Sequence, residues 1–150
     1  MERGLLGTNV ITQIGIIVKD IDRVSQAYAD FLGVDKPEWF MTGTPDVAQT
    51  EYKGSSTPAR AKLAFLHCGQ LQIELIEPDE GPSTWREFLD AHGEGVHHIA
   101  LRIEGMKEKI MLLESTGIPL IQKGEYTGGR YAYMDSLKEL KVIIELLEND

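Results

Sequence analysis

The sequence predicts an α+β fold of two tandem βαβββ modules, and three observations carry the prediction. Residues 71–78 (LQIELIEP) and 142–148 (VIIELLE) are strand-like runs that each hold a carboxylate among aliphatic neighbours. They share one ending, Glu74 and Glu77 in the first and Glu145 and Glu148 in the second. Ahead of each run stand the same elements in the same order: strand, helix, strand, strand. Short stretches also match: residues 13–16 (QIGI) with 98–101 (HIAL), 33–34 (GV) with 117–118 (GI), and 62–67 (KLAFLH) with 130–135 (RYAYMD). A buried carboxylate is costly unless a partner or a metal compensates it. Two at equivalent positions of a repeat point to one shared site.

Each element follows from local pattern. Residues 10–18 are rich in β-branched side chains and read as a strand. Asp20 or Asp22 caps a helix through Leu32, with Val24, Tyr28, Phe31 and Leu32 on one face and Gly33 as its stop. Residues 35–60, rich in Pro, Gly, Ser and Thr, read as loops with a short strand. Residues 62–67 and 71–77 form two strands around a turn at 68–70. A helix from Trp85 to Ala91 follows, with Thr84 and Glu87 as a capping box. In the second half, residues 97–103 are a strand. Residues 106–115 are a helix ended by Gly117, with Met106, Ile110 and Leu113 on one face. Residues 118–122, 130–135 and 141–147 are strands. The expected organisation is a single domain: a first module over about 10–80, a linker helix over about 84–92 and a second module over about 96–148.

Bulk properties narrow the function. The 150 residues carry 24 acids against 15 bases, a net charge of −9. Such a surface repels nucleic acid and anionic membrane. An anionic small substrate remains open, because a local cation reverses the field inside a pocket. No run approaches the roughly 20 apolar residues of a membrane span, and the N-terminus lacks the pattern of a signal peptide. The single Cys68 cannot make an internal disulfide, so the expected compartment is the cytoplasm.

The repeat places Gln13 and Glu74 from the first half around a pseudo-two-fold axis with His98 and Glu145 from the second. Strand alternation then predicts Gln72 and Ile76 beside Glu74 on the pocket face, and Val96 and Ala100 beside His98, with His97 pointing away. Small residues at Gly15 and Ala100 leave room for a ligand. One imidazole, two carboxylates and an amide oxygen suit one divalent ion such as Zn, Ni, Co or Mn.

Residues 92–101 (HGEGVHHIAL) resemble the vicinal oxygen chelate (glyoxalase/bleomycin resistance/dioxygenase) superfamily, most closely its methylmalonyl-CoA epimerase branch. Residues 14–22, 71–78 and 128–147 resemble the rest of that pattern. The resemblance implies an open, cup-shaped sheet around a metal, with His98 as the ligand of the His pair and Gln13, Glu74 and Glu145 as the others. It also implies a homodimer. Two departures stand out. The epimerases usually have His at the position of Gln13, whereas the zinc type of glyoxalase I is similar to this chain there. The epimerases also use a second carboxylate from a strand before the first Glu strand. Residues 52–73 contain no Asp or Glu, which leaves that part to Glu74 or the Glu51 region.

The implied chemistry is proton abstraction beside a carbonyl, with Glu145 as first candidate base and Glu74 as second. The substrate is then a small molecule, an acyl thioester or a thiol adduct. Three functions fit: a methylmalonyl-CoA epimerase-like isomerase, a glyoxalase I-like lactoylglutathione lyase, and a non-catalytic antibiotic-binding cup of the bleomycin-resistance kind. His67 and His92 read as surface residues, Cys68 as inert, and His97 as a packing or orienting residue. Arg130, Lys53, Arg60 and Lys62 read as solvated or turn charges, with an anion site as the minor alternative. Trp39, Phe40 and Trp85 line a pocket or close the core.

Overall fold

A computed structural model describes residues 4–150 of the chain. The first half comprises β1 (Gln13–Ile17), α1 (Ile21–Leu32), β2 (Phe40–Met41), α2 (Pro45–Ala48), β3 (Glu51–Tyr52), β4 (Ser55–Ser56), β5 (Ala61–Cys68) and β6 (Leu71–Pro78). The linker helix is α3 (Thr84–His92). The second half comprises β7 (Gly95–Arg102), α4 (Met106–Ser115), β8 (Leu120–Tyr126), β9 (Gly129–Met134), α5 (Leu137–Leu140) and β10 (Ile143–Asn149). All ten strands join one curled sheet in the order β2-β5-β6-β1-β7-β10-β9-β8-β3-β4. The fold is therefore mixed α+β, as the repeat predicts.

The register gives the repeat its physical content. β1 pairs in parallel with β6, and β7 in parallel with β10; β1 and β7 meet antiparallel at the centre. Gly15 stands opposite Glu74 and His98, while Ala100 stands opposite Glu145 and Gln13. Gln13 and His98, Gly15 and Ala100, and Glu74 and Glu145 are thus equivalent pairs. On the convex side, α1 packs its Ile21 over Val18, Ala64, Leu66 and Leu75. There α4 covers the larger cluster that includes Leu101, Leu113, Met134 and Leu146. On the concave side, α3 inserts Trp85 among Ile17, Ile76, Tyr133 and Ile143, filling one end of the cup.

The second Glu of each pair explains the shared ending. Three residues along a strand reverse the face, so Glu77 and Glu148 reach the convex side. There Glu77 accepts from the Ile21 N–H at the start of α1 and pairs with Lys62. Glu148 accepts from the Gly105 and Met106 N–H groups at the start of α4 and pairs with Arg130. Carboxylates at helix N-termini satisfy orphan donors and complement the helix dipole.

Several expectations are corrected. α1 buries Ile21, Ser25 and Ala29, and Phe31 is 83% exposed; small side chains let the helix sit close on the sheet. Ser83, not Thr84, caps α3 by accepting from the Arg86 N–H at 3.0 Å, because Ser83 is the last extended residue and Thr84 is already helical. β8 and β10 lie further along the chain than expected. Lys141, at φ +66°, ends the turn of α5 before β10 begins. Residues 35–60 hold three short strands and a helical turn. The β3–β4 hairpin turns at Lys53 and Gly54, both at positive φ, and β3 pairs with β8 of the other half. A partner about 70 residues away leaves no local pattern.

Candidate metal centre

Strands β1, β6, β7 and β10 bring Gln13, Glu74, His98 and Glu145 together at the middle of the concave face. The Nε2 atom of His98 lies 2.9 Å from Oε1 of Gln13, 3.4 Å from Oε1 of Glu74 and 3.3 Å from Oε1 of Glu145. None of the four residues is more than 7% exposed. A single imidazole N–H cannot serve three acceptors, and Gln13 is the closest. Oε1 of Glu74 and Oε1 of Glu145 are left without a hydrogen-bond partner. Two buried carboxylates also face at most one imidazolium, so negative charge is in excess.

These features fit a divalent ion. Ligand distances of about 2.0–2.2 Å set neighbouring donors roughly 2.9–3.4 Å apart around a tetrahedral or octahedral centre. The separations around His98 fall in that range, and orphaned carboxylate oxygens are the atoms a cation would take.

Proton affinities reflect the same crowding. Burial pushes the His98 imidazole down, but the Glu145 and Glu74 carboxylates outweigh it and hold it up at about 9. Burial, reinforced by the Glu145 charge and opposed by His98, raises the Glu74 carboxyl. His97, fully buried beside a positive neighbour, is pushed well below the ordinary histidine range and is neutral.

His97 corrects the alternation argument. The β1–β7 register runs from Gly15 opposite His98 to Ile16 opposite Val96, which leaves His97 as an extra residue in a β-bulge. The bulge turns His97 inward beside His98, while Val96 is 52% exposed. The two Nδ1 atoms lie 2.8 Å apart, within hydrogen-bond distance, and His97 Nε2 lies 3.2 Å from the Thr84 hydroxyl. Both expectations for His97 fit its contacts: it packs edge-on against Phe88 and Tyr133, and its contact with His98 Nδ1 leaves Nε2 of His98 toward the carboxylates. A bulge has no signature in residue type, although two adjacent histidines in one strand are a cue.

Gly15 also has a different use from the one expected. A Cβ there would lie 2.0 Å from Cε1 of His98, so the glycine makes room for the imidazole itself. Gln72 is an additional orienting residue: its Oε1 accepts from Gln13 Nε2 at 2.6 Å and so turns the Gln13 oxygen toward His98. Behind the site, the Thr84 N–H donates to Oε1 of Gln122, whose Nε2 donates to the Tyr131 hydroxyl.

The site opens into a cavity of about 550 Å³ lined by Gln13, Glu74, Glu145, Phe65 and Tyr133 among others. Phe65 stands opposite Glu74 and Tyr133 opposite Glu145, equivalent positions that wall the carboxylates with rings. Trp85 serves both expected parts: it lines the cavity and donates to the Tyr133 hydroxyl from the core. Phe40 lines the cavity, and Trp39 lies under the ammonium of Lys62. Glu51 pairs with Lys123 on β8 and does not line the cavity, which removes it as the second carboxylate. Arg130 is engaged by Glu125, Glu148 and Asp150, Lys53 by Glu87, and Arg60 by the Thr42 carbonyl. His67 and His92 are exposed, and Cys68 is half-buried at its turn. Among the described residues no helix is long and apolar enough to cross a membrane.

Comparisons with known proteins agree with this architecture. A hypothetical protein of Bacillus halodurans is similar at 28% identity and a TM-score of 0.65, over 94% of each chain. The methylmalonyl-CoA epimerase of Mycobacterium tuberculosis is similar at 25% identity and a TM-score of 0.65, over 100% of this chain and 93% of that one. A methylmalonyl-CoA epimerase in complex with methylmalonyl-CoA and NH4+ shares the fold at 21% identity and a TM-score of 0.61, over 93% of each chain. In sequence, the uncharacterized protein YqjC of Bacillus subtilis is 29% identical over 92 residues, covering 59% of this chain and 66% of its own length. The profile of the Glyoxalase/Bleomycin resistance protein/Dioxygenase superfamily matches residues 12–133, and the chain belongs to that superfamily.

Proposed function

We propose that the protein is a divalent-metal-dependent isomerase that abstracts a proton beside a thioester carbonyl, in the manner of a methylmalonyl-CoA epimerase. The observation that carries this reading is the convergence of three oxygens on His98 Nε2, two of them orphaned carboxylate oxygens beside a cavity. Gln13, Glu74, His98 and Glu145 would hold Zn, Ni, Co or Mn, which supplies Lewis acidity to stabilise negative charge on an enolate oxygen. Glu145 removes the proton: the C–H electrons move toward the carbonyl and the proton ends on the carboxylate. Glu74 comes from the equivalent strand of the other module. Burial raises its carboxyl, and from that strand it would approach the opposite face of a planar intermediate. His97 and Gln72 act only by orienting His98 and Gln13. Phe65, Tyr133 and Trp85 restrict water around the carboxylates.

The test is solvent deuterium exchange at the α-carbon of methylmalonyl-CoA, after metal analysis of the purified protein. Exchange that needs metal and falls by about 10²–10⁴-fold in Glu145→Gln supports the reading. No exchange with metal-loaded protein would reject it. The amide of Gln13 among the donors favours one second reading, a glyoxalase I-like lyase, for which turnover of a hemithioacetal without exchange of methylmalonyl-CoA is the expected outcome. A homodimer belongs to the same proposal and is checked by light scattering.

A further inference from the structure

The cavity departs from the pseudo-two-fold at one position. Ile17 and Arg102 are equivalent, each two residues beyond Gly15 or Ala100 and on the concave face. Ile17 is fully buried under α3. Arg102 lies at the opposite end of the cup, which α3 leaves open, and it lines the cavity beside Tyr126, Leu147 and Asn149. It is the only cationic side chain in that lining, whose other charged groups are Glu74, Glu125 and Glu145. Glu125 and Glu148, the nearby acids, are engaged by Arg130. Among the described residues, Arg102 makes neither an ion pair nor a side-chain hydrogen bond. Arg102 is exposed where it lines the cavity, so in a chain of net charge −9 its guanidinium is open to a ligand oxyanion. Arginine presents a planar fork that takes carboxylate or phosphate oxygens in pairs.

We propose that Arg102 forms an oxyanion-binding subsite and that the substrate carries a carboxylate or phosphate on an arm extending from its metal-chelating head. This rests on the metal-centre reading above. Arg102 stands opposite Leu147, and Ala100 opposite Glu145. The two rows are separated by two residues, on the order of 7 Å along the strands. The arm therefore runs along β7 and β10, away from α3.

The experiment uses zinc-loaded protein and hydroxamates, which chelate zinc through two oxygens without reacting. Monohydroxamates of succinic, glutaric and adipic acid are compared with their methyl esters by calorimetry, in the unaltered protein and in Arg102→Gln. The expected result is about tenfold tighter binding of the best carboxylate tail than of its ester. That preference disappears in Arg102→Gln, while the ester binds both proteins alike. A phosphonate-tailed hydroxamate separates the two sources: a larger Arg102-dependent preference for it marks a phosphate arm, a smaller one a carboxylate arm. Equal binding of acid and ester, a preference that survives Arg102→Gln, or no hydroxamate binding at all would overturn the subsite. Loss of α-carbon exchange with the tail preference intact would reject the proposed reaction and leave the subsite standing.

Discussion

The two modules solve the same structural problem with the same residues and then divide over function. Their shared parts are scaffold: a parallel strand pair, a convex helix, and a glutamate that caps that helix while pairing with a base. Lys62–Glu77–Ile21 in the first module has its counterpart in Arg130–Glu148–Gly105 in the second. The differences gather on the concave face. Gln13 in the first module corresponds to His98 in the second, Gly15 to Ala100 and Ile17 to Arg102, and only the second module has a bulge that brings in a second histidine. The duplicated fold thus keeps its symmetry in the helix caps and breaks it on the concave face that lines the cavity.

The sharpest way to break this comparison is to exchange equivalent donors. His98→Ala is expected to abolish stoichiometric metal, whereas Gln13→Ala retains a measurable fraction, because an imidazole is a far stronger ligand than an amide oxygen. Metal analysis after gel filtration checks both. Equal loss in the two variants would mean that the donors are functionally symmetric.

A second contrast is steric. Gly15→Ala places a Cβ against the His98 ring and is expected to cost roughly 1–3 kcal/mol by overpacking while displacing the ligand. Ala100→Gly, at the equivalent position, removes a buried methyl and adds backbone freedom, for a cost of about 1 kcal/mol. Urea denaturation ranks them. If Gly15→Ala is the milder change, the close approach of His98 to β1 is not maintained in solution.

The two caps should differ more modestly. Glu148 accepts from two N–H groups and holds Arg130 at 2.9 Å, while Glu77 accepts from one and holds Lys62 at 3.4 Å. Glu148→Ala is expected to destabilise by roughly 1–2 kcal/mol and Glu77→Ala by about half that. Equal denaturation midpoints would show that the repeat is energetically even here.

The last contrast concerns a proton. In the metal-free protein the carboxylates of both modules raise His98 from the usual 6.5 to about 9. The imidazolium therefore contributes stability that is fully present below pH 6.5 and lost as pH rises through about 9. A divalent ion must displace that proton, so metal affinity rises with pH up to about 9, and uptake near neutral pH releases a proton. Calorimetry in buffers of different ionisation enthalpy measures the release.

Much of this was legible because the repeat is legible. The matched residues 62–67 and 130–135 align Phe65 with Tyr133, and the β5–β6 and β9–β10 registers place both rings opposite the glutamates. Glu74, His98 and Glu145 were legible, since a carboxylate or imidazole in an aliphatic strand is rare enough to mark; Gln13 was legible only through its match with His98 in the repeat. The inward turn of His97, the hydrogen bond of Gln72 to Gln13 and the place of Arg102 were not. Their significance depends on a bulge, on a neighbour one strand away and on which acids are already taken, and no local pattern carries those facts.

By itself the sequence determined the α+β class, the two modules and the four converging side chains, because hydrophobic periodicity and duplication are written along the chain. Tertiary structure alone decided the crossing of β3 onto β8, the inward turn of His97, the closure of one end of the cup by Trp85 and the isolation of Arg102 at the other. Those depend on contacts between residues distant in the chain, where packing and charge neutralisation, not local propensity, set the outcome.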